Sequence, residues 1–511
     1  MIKLKTSIAF FLFLGISISS YTQITNAEKA LSEIRNEGFN NSKVMKSLSE
    51  FTDIYGQRLT GSRNYYKAAK WISNEMKEIG LQNVRFENYC LECRGWDVKT
   101  FNVEMIAPNY MKISAYPLTM SKSTNGNVSG EIISIESFAD MNKVRSQFSG
   151  KLKGKIVLLG KEPKRKSLTD KIEDRYSEKQ LKQMDKKVAA KVKVTPLPDL
   201  FEGWKTSDKS DEAFLKFLDA EGALALLTTR AMYLGVLHPG GTYYFRNSDI
   251  KTLPYFTIMP EHFGRLYRML KLNSTPTIRL NLETEFYEEP QNNVNIIGEI
   301  PGNDSKLKNE TILLGAHFDS WHSATGATDN GVNSVVLVEA MRILKKIGYQ
   351  PKRTVKIGLW GGEEQAFLGS AAFAKKHFGA LDEKPNANSK KVSAYLNLDN
   401  GGGAIRGIFL QNNEFARPIF KKVFAPIANL TSGAITIENT LSTDHETFDY
   451  YNIPSFQFIQ DELAYGTVTH HTNLDFLEYV HEEDIMKNAV ILAWTIYSLD
   501  NLKEKVPRKE K

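Results

Sequence analysis

At 511 residues the chain is longer than one hydrophobic core usually serves, so a main domain of about 300 residues plus a second folded unit is expected. Its 41% hydrophobic and 24% charged residues exclude a disordered or membrane-integral chain. The net charge of +7 comes without aromatic interleaving or a recognised motif, which excludes a nucleic-acid-binding reading.

The chain opens Met-Ile-Lys-Leu-Lys, runs through the apolar stretch IAFFLFLGISI, and leaves through Ser19, Ser20 and Thr22. A basic start, short apolar middle and small-residue exit read as a cleavable signal peptide over residues 1–22. The apolar run is shorter than the ~20 residues a spanning helix needs. The mature chain is therefore expected in the periplasm or outside the cell, without membrane insertion.

Residues 27–50 carry apolar positions at roughly helical spacing, broken by Gly38. The stretch Tyr55-Gly-Gln-Arg-Leu-Thr-Gly-Ser62 is turn-rich; residues 65–79 read as an amphipathic helix closed by Gly80, and residues 84–89 as a strand. Cys90 and Cys93 are the only cysteines. One C-x-x-C pair lacks the second pair a structural zinc site requires, leaving a local disulfide and two free thiols open. From about residue 130 to 282 the pattern turns to short β-rich runs at 131–135, 155–159, 223–227 and 253–258. They are interrupted by the charged segment 161–193, which reads as one or two solvated helices. Beyond Asn292, strands at 294–300, 311–315, 354–359 and 392–398 alternate with helices at 331–347 and 364–378. That rhythm predicts an α/β fold with a mainly parallel sheet covered on both faces.

Acids and histidines collect where these strands end: Gly-Ala-His317-Phe-Asp319-Ser-Trp321, Gly-Ala-Thr-Asp329-Asn-Gly331, Trp-Gly-Gly-Glu363-Glu364, Asn-Leu-Asp399 and, later, His470-His471-Thr-Asn-Leu-Asp475. Imidazoles and carboxylates without cysteine are the ligand set of catalytic rather than structural zinc. A pair of zinc ions ~3.5 to 4 Å apart needs one carboxylate between them, and Asp329 at a glycine-flanked turn can reach both. Of the tandem glutamates one can bind metal while the other faces the attacking water. Asp319, two residues from His317, is placed to accept a hydrogen bond from that imidazole. Each motif alone is weak, because acids also favour helix starts and aspartate before glycine also favours turns. Their recurrence at successive strand ends carries the reading.

At these residues the chain resembles the M28 family of zinc peptidases, most closely its plasma glutamate carboxypeptidase (carboxypeptidase Q) branch. The resemblance runs from Y-G-x-R-L-T-G-S through K-G-K-I-V-L-L (153–159) and N-V-N-I-I-G (293–298) to H-x-D-S-W, G-A-x-D-N-G, G-G-E-E and H-T-x-x-D. It implies a zinc-exopeptidase fold with an inserted β-rich protease-associated domain. The corresponding boundaries are 23–125 for the N-terminal part of the peptidase domain, 126–285 for the insertion, 286–502 for the catalytic domain and 503–511 for a basic tail. It implies two zinc ions per chain: His317 and Asp399 on one, Glu364 and His471 on the other, Asp329 bridging, and Glu363 as general base. His471 is preferred to His470 because the family's ligand lies four residues before an aspartate. The family commonly has a cis peptide after the bridging aspartate. Its S/T-D-H stretch, here Thr443-Asp444-His445, lies near the active site. His322 departs from the family pattern and adds a metal or substrate contact to be tested. The implied activity is exopeptidase cleavage of peptides or dipeptides, with aminopeptidase, dipeptidase and carboxypeptidase modes open, as are monomer and homodimer. Two relatives of different function share the fold. A non-catalytic ectodomain of the transferrin receptor kind would have lost ligands, and none is lost here. Against a glutaminyl cyclase stand the bridging pattern and the insertion.

Overall fold

The computed structural model describes residues 25–509 except 165, 168, 233, 234, 242 and 243; the expected signal peptide lies outside them. In chain order, strand β1 (Gln82–Asn88) is followed by β2 (Gly95–Ala107), β3 (Met111–Lys112), β4 (Ala115–Pro117), β5 (Val128–Ile135), β6 (Ile156–Leu159), β7 (Ala225–Thr228), β8 (Tyr255–Ile258) and β9 (Thr277–Tyr287). Then come β10 (Val294–Ile300), β11 (Thr311–His317), β12 (Thr354–Trp360), β13 (Val392–Asn397), β14 (Ile405–Phe409), β15 (Ala434–Thr436) and β16 (Ser455–Gln460).

They form two eight-stranded mixed sheets, ordered β1-β10-β12-β11-β13-β16-β14-β15 and β3-β2-β9-β5-β6-β7-β8-β4. In the first, β12, β11, β13 and β16 run parallel. The sequence of β11, Thr-Ile-Leu-Leu-Gly-Ala-His, is buried after its first residue, as a central parallel strand covered on both faces must be. Helix Val332–Lys346 and the C-terminal helix Glu482–Asp500 supply one cover, and their apolar residues join those of β11 and β13 in one core. The carboxyl ends of β11, β12 and β13 lie side by side, where parallel sheets gather ligands.

The second sheet begins earlier than the boundary at 126 expected from sequence. Strand β2, from Gly95, pairs along its length with β9, and β4 pairs with β8. Only β1, before the crossing, belongs to the first sheet. Local pattern could not show this, because the partners lie far apart in sequence. The two crossings between sheets are tied together: Tyr89 N donates to Asn293 O at 3.0 Å and Asn293 Nδ2 to Cys93 O at 3.2 Å. Cys90 and Cys93 form a disulfide beside them.

The charged segment is not simply solvated. Residues 170–185 lie along the first unit: Asp174 pairs with Leu463 through its backbone, Arg175 meets Asp461 and Asp484, and Arg406 meets Glu178. One short helix, Glu178–Asp185, begins on a Ser177–Gln180 capping box. The basic tail likewise packs down, with Lys505 on Glu310 and Lys509 on Asp449.

Glu87 of β1 joins this edge strand to helix Leu368–Phe378, accepting from His377 Nε2 at 2.9 Å and Lys376 Nζ at 3.0 Å. Burial would raise its carboxyl, but the hydrogen bonds from His377 and Lys376 outweigh that and hold it at about 2, against an ordinary 4.5. A depressed acid stabilises the fold fully above its unfolded value and loses that contribution as pH falls through the folded value. Glu87→Gln is therefore expected to cost about 2 kcal/mol in urea unfolding at pH 7, with the difference shrinking between pH 4.5 and 2.

Candidate active site

The site is built from loops that leave the ends of β11, β12 and β13. After β11, His317 is buried, with Nε2 3.2 Å from both Asp329 Oδ1 and Asp399 Oδ1. Asp329 lies in the buried turn Ala327–Gly331. Its other oxygen, Oδ2, stands 3.3 Å from His471 Nε2, which is 2.9 Å from Glu364 Oε2. Asp329 thus lies between two groups: His317 with Asp399, and His471 with Glu364. The expected five residues are brought together. His470 joins them at the rim, its Nε2 3.9 Å from Asp329 Oδ2 and its ring 3.8 Å from that of His471.

The Asp329 turn is held from both sides. Gly326 sits at φ +64°, where a Cβ would fall 2.3 Å from Ser320 Cβ, so only glycine fits without displacement. Asp475 accepts from Thr328 N at 2.6 Å, Thr328 Oγ1 at 2.7 Å and Asp329 N at 3.0 Å. Asn330 Nδ2 donates to Leu398 O at 2.9 Å, tying this turn to the one that carries Asp399. The Asp329–Asn330 peptide is cis, as expected.

Arg58, fully buried, explains the early turn-rich stretch. Its guanidinium donates to Phe318 O, Thr325 O and Gly326 O at 2.9, 2.7 and 2.9 Å, and its own N–H donates to Ser320 Oγ. One side chain braces both the His317 and Asp329 loops. Burial lowers its pKa to about 10, so it stays charged at neutral pH.

One sequence expectation is corrected and two are refined. Glu363 and Glu364 do not open a helix: the helix starts at Leu368, because Gly362, Ala366 and Phe367 all have positive φ. The Glu363 and Glu364 N–H groups donate instead to Asp319 Oδ1 and Oδ2 at 3.2 and 3.3 Å. The Asp319 carboxylate, with Oδ1 3.7 Å from His317 Nδ1, is thus shared with these N–H groups and also accepts from Thr60 Oγ1 at 3.0 Å. The nearer partner of His317 Nδ1 is the Asp319 backbone oxygen, at 3.0 Å. His322 stands apart from the cluster: its Nε2 donates to Pro117 O at 2.7 Å, its ring packs on Trp96 and Tyr116, and burial pushes it down to about 4. His445 is likewise neutral and donates to Thr440 O.

Sequence reading left four contributors without a role: Arg58, Thr60, Asp475, and Tyr465, whose hydroxyl donates to Asp329 Oδ1 at 3.1 Å. Asp444, buried with both oxygens lacking a hydrogen-bond partner, is pushed up to about 8 by burial. Burial also drives the Glu363 and Glu364 carboxyls well above their ordinary range. For His317 burial acts downward, but Asp399 and Glu363 hold the imidazole well above its usual value.

The residues fit a metal. Asp329 Oδ2 and Glu364 Oε1 are buried without hydrogen-bond partners, and two overlapping groups of candidate ligand atoms, His317-Asp329-Asp399 and Asp329-His470-His471, each lie within 4.8 Å. A divalent cation would satisfy such a set, with the His/carboxylate chemistry zinc accepts. Glu363 is buried beside this set.

Residues 295–495 match Peptidase family M28. The chain is 23% identical to carboxypeptidase Q of Rattus norvegicus over 493 residues, covering 96% of this chain and 92% of that one. Against carboxypeptidase Q of Homo sapiens it is 23% identical, with 97% and 94% covered. A solved Peptidase M28 precursor from Shewanella amazonensis superposes with TM-score 0.68 at 20% identity, covering 95% and 99%. BSAP, a zinc aminopeptidase from Bacillus subtilis, superposes with TM-score 0.55 at 17% identity, covering 93% and 95%.

Asp475 touches the candidate ligands only through the backbone and side chain of the Asp329 turn, so its effect on metal should be indirect but measurable. Asp475→Ala is expected to weaken zinc affinity by about 10 to 100-fold in chelator competition while the far-ultraviolet circular dichroism stays native.

Proposed function

We propose, for a chain whose residues 295–495 form a Peptidase family M28 domain and which is a hydrolase of the metallopeptidase class, that it cleaves peptide bonds at a free terminus of peptides or dipeptides. The observation that carries this reading is the position of Asp329, one oxygen facing His317 and the other facing His471. Two zinc ions would be held there, one by His317 and Asp399 and one by Glu364 and His471, with Asp329 shared. Bound there, zinc supplies Lewis acidity toward the substrate carbonyl and toward water.

The chain's own residues divide the remaining work. Glu363, buried and raised above the ordinary carboxyl range, takes the proton of the attacking water and returns it to the nitrogen of the leaving amine. Asp319 fixes the backbone that presents Glu363 and Glu364 to opposite duties. Arg58 and Asp475 keep the His317 and Asp329 loops in register. The fold and the family leave aminopeptidase and carboxypeptidase modes both represented among the relatives, whose names include each.

Export belongs to the same proposal. The N-terminal residues read as a signal peptide, and the Cys90–Cys93 disulfide is of the kind that persists in oxidising compartments. No helix among the described residues is long and apolar enough to cross a membrane.

The test is hydrolysis of unblocked dipeptides, their N-acetylated forms and aminoacyl amides by zinc-loaded protein, with Glu363→Gln alongside. Cleavage that needs a free terminus and falls by about 10² to 10⁴-fold in the variant is expected. Turnover untouched by Glu363→Gln, or restricted to internal bonds, would contradict the proposal.

A further inference from the structure

The second unit lays a stretch of chain over the candidate active site. Around Val236 and Leu237 it is anchored rather than loose. Leu237 N donates to Asn473 Oδ1 at 2.6 Å, Asn473 N donates to Leu237 O at 3.0 Å, and Val236 packs with Ala464 and Val468. A Cβ on Gly241 would fall 1.8 Å from the Trp321 ring, so the backbone there lies directly on that tryptophan. His238, at the centre of the stretch, has its ring 5.7 Å from that of His471.

Arg230 reaches this point from the end of β7. Its Nη1 lies 2.6 Å from His238 Nε2 and 3.1 Å from Nδ1. Burial above all, with the Arg230 charge second, pushes His238 down to about 3, so the imidazole is neutral and accepts the hydrogen bond. The guanidinium is therefore oriented without being neutralised, and among the described residues no carboxylate pairs with it. Through His238, whose ring is 5.7 Å from that of His471, Arg230 stands next to the His471 side of the site. Arg230 is exposed and borders a cavity of about 740 Å³ at the carboxyl ends of β5, β6 and β7, where Phe138, Leu159 and Thr229 also line the wall.

An exposed, pre-oriented guanidinium beside a hydrolytic centre matches a planar anion. The carboxylates of the centre itself do not reach it. We infer that Arg230 receives the free α-carboxylate of the peptide substrate, making the enzyme selective for bonds one or two residues from a C-terminus. The path from His471 to Arg230 runs through His238, 5.7 Å from His471 ring to ring and hydrogen-bonded to Arg230, a separation that a short extended peptide at ~3.3 to 3.6 Å per residue covers. The side chain of the C-terminal residue would then enter the cavity beyond Arg230. This assignment rests on the exopeptidase reading above.

The experiment compares alanyl-phenylalanine with its C-terminal amide in zinc-loaded wild type, Arg230→Gln and Arg230→Lys. The ratio of kcat/KM for acid over amide is expected to fall about 10 to 100-fold in Arg230→Gln, through KM, with partial recovery in Arg230→Lys. An unchanged ratio would overturn the assignment. Calorimetric titration of N-acetyl-phenylalanine and its amide into the same proteins needs no turnover. Loss of the acid's preference in Arg230→Gln supports the anchor, and equal binding of acid and amide by wild type refutes it. A wild type that hydrolyses no peptide would defeat the exopeptidase reading alone, since the titration still decides the role of Arg230.

Discussion

The structure is organised around a concentration of buried carboxyl groups. Asp319, Asp329, Glu363, Glu364, Asp399, Asp444 and Asp475 are all buried near one another, with His317, His471 and Arg58 as the cationic or imidazole counterparts. Desolvation makes such a set costly unless each oxygen finds a hydrogen bond or a cation. Part of the cost is offset locally: Asp319 accepts from two backbone N–H groups and Thr60, and Asp475 from the Asp329 turn. What is left over, at Asp329 Oδ2 and Glu364 Oε1, is buried without a hydrogen-bond partner, and a cation would satisfy it. The parallel strands exist to bring these loops together, and Arg58 exists to keep two of them there.

The second unit is part of that arrangement. Residues 170–185 brace the stretch 461–467, from which Tyr465 reaches Asp329 and which leads directly to His470 and His471. From the other side, the stretch around His238 is hydrogen-bonded to Asn473 and packs on Trp321. Both contacts come from residues between β6 and β8, and they close on the segment 461–473 and on Trp321. Ligand geometry on the His471 side thus depends on residues almost three hundred positions earlier.

Much of the site was legible because its signals are local. His317, Asp329, Glu364, Asp399 and His471 each stand at a strand end or in a short motif, and strand ends are readable from hydrophobic runs. Less was legible wherever the meaning of a residue depends on a distant partner. Asp475 served only as a spacing marker for His471, although its carboxylate holds the Asp329 turn. The tandem glutamates read as a helix start, but the positive φ values at Gly362, Ala366 and Phe367 cannot be inferred for a sequence in which two of the three are not glycine. The start of the second sheet at Gly95 depends on pairing with β9, more than a hundred residues further along the chain. His322 stood out only as a departure from the family pattern, and its bond to Pro117, some two hundred positions earlier, could not be read locally.

The central claim is that Asp329 is shared by two metal ions. It is tested most directly by X-ray anomalous scattering from crystals of zinc-loaded protein at the zinc edge. Two peaks ~3.5 to 4 Å apart, one beside His317 and Asp399 and one beside Glu364 and His471 with Asp329 between them, are the predicted result. A single peak bound by only one of these pairs, or zinc located away from Asp329, would contradict it.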